Sequence, residues 1–141
     1  MHSNKEKIIM AMVTKNEYGM VAVNNMVLCK MILDEMISME KFLIPCNKHG
    51  KPLKKGLFTG LNDMLAAVDI SEYNTDVFVR VYFISKFGES ITEISNNHFD
   101  RIDDDFELLC LDKPHEIHAN IKGVMSDRIS GRELEVTRHN D

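Results

Sequence analysis

A long run of apolar residues between Asn24 and Pro45 dominates the hydrophobic pattern of the chain. On an α-helix its polar positions, three or four residues apart, form one narrow stripe. A surface helix usually buries about a third of its circumference, so a helix with so little polar surface should be covered on nearly all sides. The pattern therefore predicts a buried central helix over about residues 25–43. Its polar stripe consists of Lys30, Asp34, Ser38 and Lys41.

Residues 7–23 and 57–68 carry the other signals in the first half of the chain. In 7–23, two short apolar segments flank a turn that contains Asn16 and Gly19, which favours a β-hairpin. A helix over residues 7–14 stays an alternative, because apolar residues there also recur at helical spacing. Residues 57–68 place their large apolar side chains on one stripe and predict a second, amphipathic helix.

Strand patterns dominate the second half. Residues 77–87 alternate with apolar side chains on both faces, so we expect an interior strand covered on both sides, by this chain or by a second copy. Residues 90–95 are expected to return as the second arm of a hairpin, followed by a polar loop over 96–105. Further predictions are strands over 106–111, 116–121 and 132–137, a polar connection over 69–76 and a loop over 123–131.

Helical patterns early and strand patterns late indicate an α+β fold rather than repeated βαβ units. We predict one domain over residues 1–141, with the two helices packed on a mainly antiparallel sheet formed by residues 77–137. The ends, residues 1–6 and 138–141, are expected to be flexible.

Charge is distributed unevenly along the chain. Residues 1–70 hold nine lysines and seven acids, whereas residues 71–141 hold eight basic and fifteen acidic residues. With a formal net charge of -5, the chain is not expected to bind nucleic acid. Charged positions in the central helix argue against a membrane span. We find no secretory signal, and three cysteines without framework spacing predict buried, reduced thiols in a cytoplasmic protein.

Acidic residues cluster in the predicted loop over 98–107. Close carboxylates can bind a basic partner, and we predict a partner-binding patch here. Carboxylates with a nearby histidine can also hold a divalent cation, so a metal-dependent hydrolase or nuclease using this loop and His98 is an alternative. The residues of the patch are Asp100, Asp103, Asp104, Asp105 and Glu107.

A basic loop over residues 48–56 precedes the predicted second helix. A helix N-terminus with lysines beside it suits an anion, so small-anion or nucleotide binding is a further alternative. The order of residues does not match a phosphate loop. The lysines involved are Lys48, Lys51, Lys54 and Lys55.

Histidines suggest two other kinds of site. The spacings of Cys46 with His49, and of His115 with His118, could bring two metal ligands together, but neither pair matches an established zinc motif. On a strand, the alternate residues Glu116, His118 and Asn120 share one face, where a histidine beside a carboxylate could act as a base. No nucleophile can be assigned to it, so we predict no catalytic residue, metal or cofactor.

Together these patterns favour a small, soluble, non-catalytic binding or regulatory protein that acts through contacts with another protein. An inhibitor or immunity protein would have this size and charge, although that is analogy alone. Self-association is the alternative use of a second apolar sheet face, and the four methionines of the central helix could also serve an adaptable interface.

Overall fold

The computed structural model describes residues 12–16, 19–23, 25–53 and 66–140. Two helices pack on a mixed, mostly antiparallel five-stranded sheet, which confirms the predicted α+β fold. The elements are β1 (Met12–Asn16), β2 (Gly19–Val23), α1 (Asn25–Ser38), β3 (Leu43–Pro45), β4 (Val68–Tyr73), β5 (Asp76–Lys86), α2 (Ile91–Leu108), β6 (Glu116–Met125) and β7 (Ile129–His139).

The N-terminal hairpin is present where the chain is described, with β1 and β2 paired antiparallel and Asn16 opposite Gly19. Residues 7–11 lie outside the described part, as does most of the predicted second helix, residues 57–65. The end of that prediction is wrong, because Val68 begins β4 and does not close a helix.

Strand β5 is the centre of the sheet. It pairs antiparallel with β3 and β4 on one edge and parallel with β6 on the other, and β7 then pairs antiparallel with β6. The interior position predicted for residues 77–87 is confirmed. The predicted polar connection over 69–76 is wrong, because Val68 and Ile70 bury their side chains as strand residues of β4.

The two faces of β5 differ in burial. Val79, Val81 and Phe83 are fully buried towards the helices, whereas Phe78 and Tyr82 are only partly buried on the other side. Ile84, which alternates to that same side, is fully buried, so this chain covers part of the second face. Its cover by a second copy stays a prediction. The second face is more polar because strands β6 and β7 contribute charged and hydrogen-bonding side chains to it.

Helix α1 buries Leu28, Ile32 and Met36 in the core, and the predicted polar stripe is exposed. The helix is less completely buried than expected, since the side chains of Val27 and Ile37 are 48% and 40% exposed. The helix ends at Ser38 and not near residue 43. Leu43 instead begins β3 at the sheet edge, where its side chain is buried.

Helix α2 replaces the predicted hairpin arm over 90–95, loop over 96–105 and strand over 106–111, and all three predictions are wrong. Ser90 caps the helix, and its hydroxyl accepts a hydrogen bond from the Glu93 amide at 3.3 Å. A serine followed three residues later by glutamate is the sequence signature of a helix start. One face of α2 then buries Ile94, Phe99, Ile102 and Phe106.

Strands β6 and β7 form a long hairpin that contains the predicted strands 116–121 and 132–137. The predicted loop over 123–131 is wrong, because only residues 126–128 lie between the strands. Gly123 makes the close pairing feasible. A Cβ atom at that position would lie 2.9 Å from the Ile129 side chain and 3.0 Å from the Ser130 carbonyl oxygen. Among the described helices, none is long and apolar enough to cross a lipid bilayer.

Candidate functional site

An array of polar side chains lies on the sheet face opposite the helices. The alternation of β6 buries Ile117 and Ala119 on the helix side and places their neighbours on the other side. We call this array the sheet face and define it by Arg80 of β5, Glu116, His118 and Asn120 of β6, and Glu135 and Thr137 of β7.

His118 is the centre of the sheet face. Its Nε2 atom lies 2.8 Å from Glu116 Oε1, and its Nδ1 atom lies 3.0 Å from Glu135 Oε1. The Thr137 hydroxyl, directly opposite on β7, is also 3.0 Å from Nδ1. His139 extends the group through a contact of 2.9 Å with Glu116 Oε2. Both nitrogens of one imidazole are thus held by carboxylates from two strands.

The contacts with His118 lower the pKa of both carboxylates, Glu116 and Glu135. The hydrogen bond with His118 holds the pKa of Glu116 below its usual value, with a smaller contribution from His139. The same bond with His118 is the main cause of the lowered pKa of Glu135, and the charge of Arg80 adds to it. Both carboxylates therefore stay ionised, and the face carries fixed negative charge beside its histidine.

Arg80 and Asn120 tie β5 to this group. The Arg80 guanidinium donates to Asn120 Oδ1 at 2.5 Å and lies 3.6 Å from Glu135 Oε2. The Asn120 amide donates to the same Glu135 oxygen at 3.4 Å. Beside Arg80 and His118 lies a cleft of about 220 Å³, which Asp69 and Ser71 of β4 also line. The cleft is large enough for a single side chain of a partner.

A hydroxyl, an imidazole and a carboxylate in series are the arrangement of nucleophilic hydrolases. Thr137, His118 and Glu116 make the required contacts. However, Glu135 faces the same ring nitrogen as Thr137, and a ring nitrogen binds a carboxylate only when it carries a proton. While Nδ1 carries a proton it cannot accept the hydroxyl proton, so in that state His118 does not act as a base towards Thr137.

The predicted acidic patch lies on α2 and not in a loop, so that part of the prediction is wrong. Arg138 of β7 donates to Asp100 at 2.7 Å and to Asp103 at 3.2 Å. Asp103 is buried and also accepts a hydrogen bond from Asn140 at 2.8 Å. The Asp103 carboxylate is therefore paired with residues of this chain. Asp104 and Glu107 are exposed, and their role in partner binding stays a prediction.

Asp105 points from α2 towards α1. Partial burial, followed by the charges of Glu35 and Asp104, raises its pKa to about 6, and Arg101 opposes this effect. One oxygen of its carboxylate is buried and has no hydrogen-bond partner within the part of the chain that the structure describes. The side chain is therefore partly buried beside α1, and its role in partner binding stays a prediction.

His98 faces the core and is separated from the exposed acids of α2. Its side chain is fully buried, and neither ring nitrogen has a hydrogen-bond partner among the described residues. Burial, together with the charge of Arg101, lowers its pKa to about 3. The structure does not bring His98 together with Asp100 or Asp104 as the metal-dependent alternative requires.

The basic loop is folded around Asn47. The Asn47 side chain accepts hydrogen bonds from the His49 amide at 2.9 Å and the Lys51 amide at 3.0 Å. Lys48 and Lys51 are exposed, while Lys54 and Lys55 lie outside the described residues. Anion binding in this loop stays a prediction.

The cysteine–histidine pairs do not form a metal centre in the part of the chain that is described. Cys46 is buried, which raises the pKa of its thiol to about 12, whereas His49 is exposed. His115 packs edge-on against Phe78, with ring centroids 5.4 Å apart. No group of three or more histidine, cysteine or acidic residues is arranged to hold a metal ion in that part. Cys110 is exposed, so the prediction of three buried thiols is wrong for it.

A second cleft, of about 330 Å³, lies where the turn between β4 and β5 meets the connection after α2. Val77, Phe106 and Leu111 form its apolar wall, and Asp112 and Lys113 are among its charged residues. The cleft lies at the end of the sheet and does not include any residue of the sheet face.

The sequence predicted part of the sheet face. Alternation alone placed Glu116, His118 and Asn120 together, and the structure confirms that placement. Alternation along one strand could not predict that Arg80, Glu135 and Thr137 join this face. Their contacts depend on the register of three strands. No protein-family model, curated protein or solved structure matches this chain. Its function is therefore inferred from its own geometry.

Proposed function

We propose that this chain is a non-catalytic binding or regulatory protein that recognises another protein through the sheet face. The observation that carries the proposal is the double restraint of His118 by Glu116 and Glu135. These contacts order charged groups before a partner arrives. A surface ordered in advance loses less conformational entropy on binding than free side chains would.

The mixture of charges supports a protein partner. Arg80 and Glu135 lie side by side, and their side chains are 36% and 47% exposed. Alternating positive and negative groups on a rigid sheet favour one matching surface and reject others, since like charges brought together across an interface cost several kcal/mol. A nucleic acid would instead require a predominantly basic surface.

We further propose that the protein acts in the cytoplasm. Cys29, Cys46 and Cys110 are free thiols, as is typical of a reducing compartment. Burial raises the pKa of the Cys29 thiol to about 11, so this side chain is suited to packing rather than to reaction.

Charge reversal on the sheet face tests the proposal. A partner captured with the intact chain is purified, and its affinity is measured for Glu135→Lys and for the matched control Asp104→Lys, which reverses an exposed acid on α2. We expect Glu135→Lys to weaken binding about tenfold or more, since breaking an ordered interfacial charge contact costs about 2 kcal/mol or more. Asp104→Lys should change affinity less than threefold.

Two results would overturn the proposal. If Asp104→Lys weakens binding and Glu135→Lys does not, the partner binds the predicted acidic patch on α2. If a fluorophosphonate probe labels the intact chain at Thr137 and spares Thr137→Val, the protein has hydrolytic chemistry and the non-catalytic assignment is wrong.

A further inference from the structure

The Thr137 hydroxyl lies between two acceptors on the sheet face. Its oxygen is 3.0 Å from His118 Nδ1 and 3.4 Å from Glu135 Oε1. A hydroxyl has one proton and can donate to only one of these groups at a time. Which group receives it depends on whether His118 Nδ1 carries a proton.

Protonated His118 favours the arrangement that the structure shows. Both ring nitrogens then donate, Nε2 to Glu116 and Nδ1 to Glu135, and the Thr137 hydroxyl is left to donate to Glu135. In this arrangement both ring nitrogens and the Thr137 hydroxyl each donate to a carboxylate oxygen.

Loss of the proton reverses the contact at Nδ1. The proton at Nε2 is retained, because Glu116 is also held by His139 and remains in place to accept it. The Nδ1 lone pair then accepts from Thr137 and faces the Glu135 carboxylate across 3.0 Å, where two acceptors repel each other.

We propose that His118 is a proton switch that controls the charge of the sheet face. When His118 is protonated, Glu135 is held against β6. When the proton is lost, the Thr137 hydroxyl turns to His118 and Glu135 Oε1 is freed, while Oε2 stays beside Arg80 and Asn120. The freed Oε1 atom then accepts a hydrogen bond from a basic side chain of the partner. This inference rests on the proposed function, because it describes the regulation of the same surface.

The other charged groups around His118 set the balance between the two states. Glu116 and Glu135 contact the two ring nitrogens, and His139 contacts Glu116. Asp69 from β4 and Arg80 from β5 line the cleft beside the ring. On deprotonation, the formal charge of Glu116, His118 and Glu135 together changes from -1 to -2. A basic partner should therefore bind more tightly as the pH rises.

Nuclear magnetic resonance of the intact chain tests the switch without a partner. Nitrogen-15 shifts of the imidazole report which ring nitrogen is protonated, and carboxyl carbon-13 shifts report Glu135. We expect neutral His118 to have its proton on Nε2, and the Glu135 signal to move with the same midpoint as the ring. In Thr137→Val, Glu116 still holds the Nε2 proton, but neutral Nδ1 loses its hydroxyl donor, so its nitrogen-15 shift should differ from that of the unmodified chain. His49, which is exposed, serves as the reference histidine.

The switch is contradicted if neutral His118 has its proton on Nδ1 or if the Glu135 signal does not follow the ring. The proposed function fails separately. If the ring and Glu135 titrate together but Glu135→Lys leaves partner affinity unchanged, the switch stands and the sheet face is not the interface. If partner affinity has the same pH dependence in Glu135→Gln as in the unmodified chain, Glu135 is not the group that the switch delivers.

Discussion

His98 shows most clearly how a single residue can be misjudged from sequence. Its position among polar residues suggested a loop with acids nearby, whereas the structure encloses its ring completely in the core. The apolar residues Ile94, Phe99 and Ile102 share one helical stripe with His98. Once this segment is recognised as a helix, that stripe predicts that His98 is buried. Assigning a side chain to solvent or to the core therefore depended on assigning the element first.

Replacement of His98 should stabilise the protein, and more strongly in acid. A buried imidazole without a hydrogen-bond partner costs about 1–3 kcal/mol, so His98→Leu or His98→Phe should raise the free energy of unfolding by about 1 kcal/mol at pH 7.5. Burial holds the folded-state pKa of His98 near 3, well below the ordinary histidine pKa of about 6.5. The unfolded state thus binds the proton first, and stability is lost as the pH falls below about 6.5, by up to about 1.4 kcal/mol per pH unit.

Urea denaturation at pH 7.5, 6 and 5 measures this difference. The gap between His98→Leu and the unmodified chain should widen as the pH falls, whereas His49→Leu, a change at an exposed histidine, should leave the pH dependence unaltered. Parallel pH profiles for the unmodified chain and His98→Leu would contradict the assignment of a buried neutral ring.

Elements were predicted where periodicity and turn signals agreed. Strand β5 and the start of β6 follow their alternation, while α2 was missed although Ser90 and Glu93 form its start signal. Strand β4 was missed because only Val68 and Ile70 face the core, and its other residues are polar. Short edge strands of this kind are fixed by pairing with β5, which sequence periodicity cannot show.

The turn between β4 and β5 contains a local strain that can be removed. Asn74 and Thr75 both have positive φ, at 50° and 69°, as a two-residue hairpin turn of type I′ requires. Asparagine tolerates this conformation, but a β-branched residue does not, at a cost of roughly 1–2 kcal/mol. Thr75→Gly relieves that cost and loses part of the gain to the greater entropy of unfolded glycine.

We therefore expect Thr75→Gly to raise the free energy of unfolding by about 0.5–1 kcal/mol. Asn74→Gly is the matched control, and its effect should be smaller because asparagine is already suited to the turn. Thermal unfolding of both variants measures the comparison. A larger increase in the free energy of unfolding for Asn74→Gly than for Thr75→Gly would contradict the assignment of the backbone strain to Thr75.

At the scale of the whole molecule, the helices cover one face of the sheet and the sheet face presents ordered charge on the other. The acidic second half of the sequence supplies most of these groups, including Glu116 and Glu135. The predicted acidic patch on α2 is partly neutralised within the fold, since Arg138 binds Asp100 and Asp103. Long-range pairing of this kind decides which charges remain available to a partner, and the order of residues along the chain does not reveal it.

The most direct test of the central claim is a footprint of the bound partner by nuclear magnetic resonance. Side-chain signals of Arg80, Asn120 and Thr137 on the sheet face are compared with those of Asp104 and Glu107 on α2, in the free chain and in complex. We predict that the sheet-face signals shift or broaden on binding and that the α2 signals do not. A footprint confined to Asp104 and Glu107 would contradict the account and assign binding to the acidic helix.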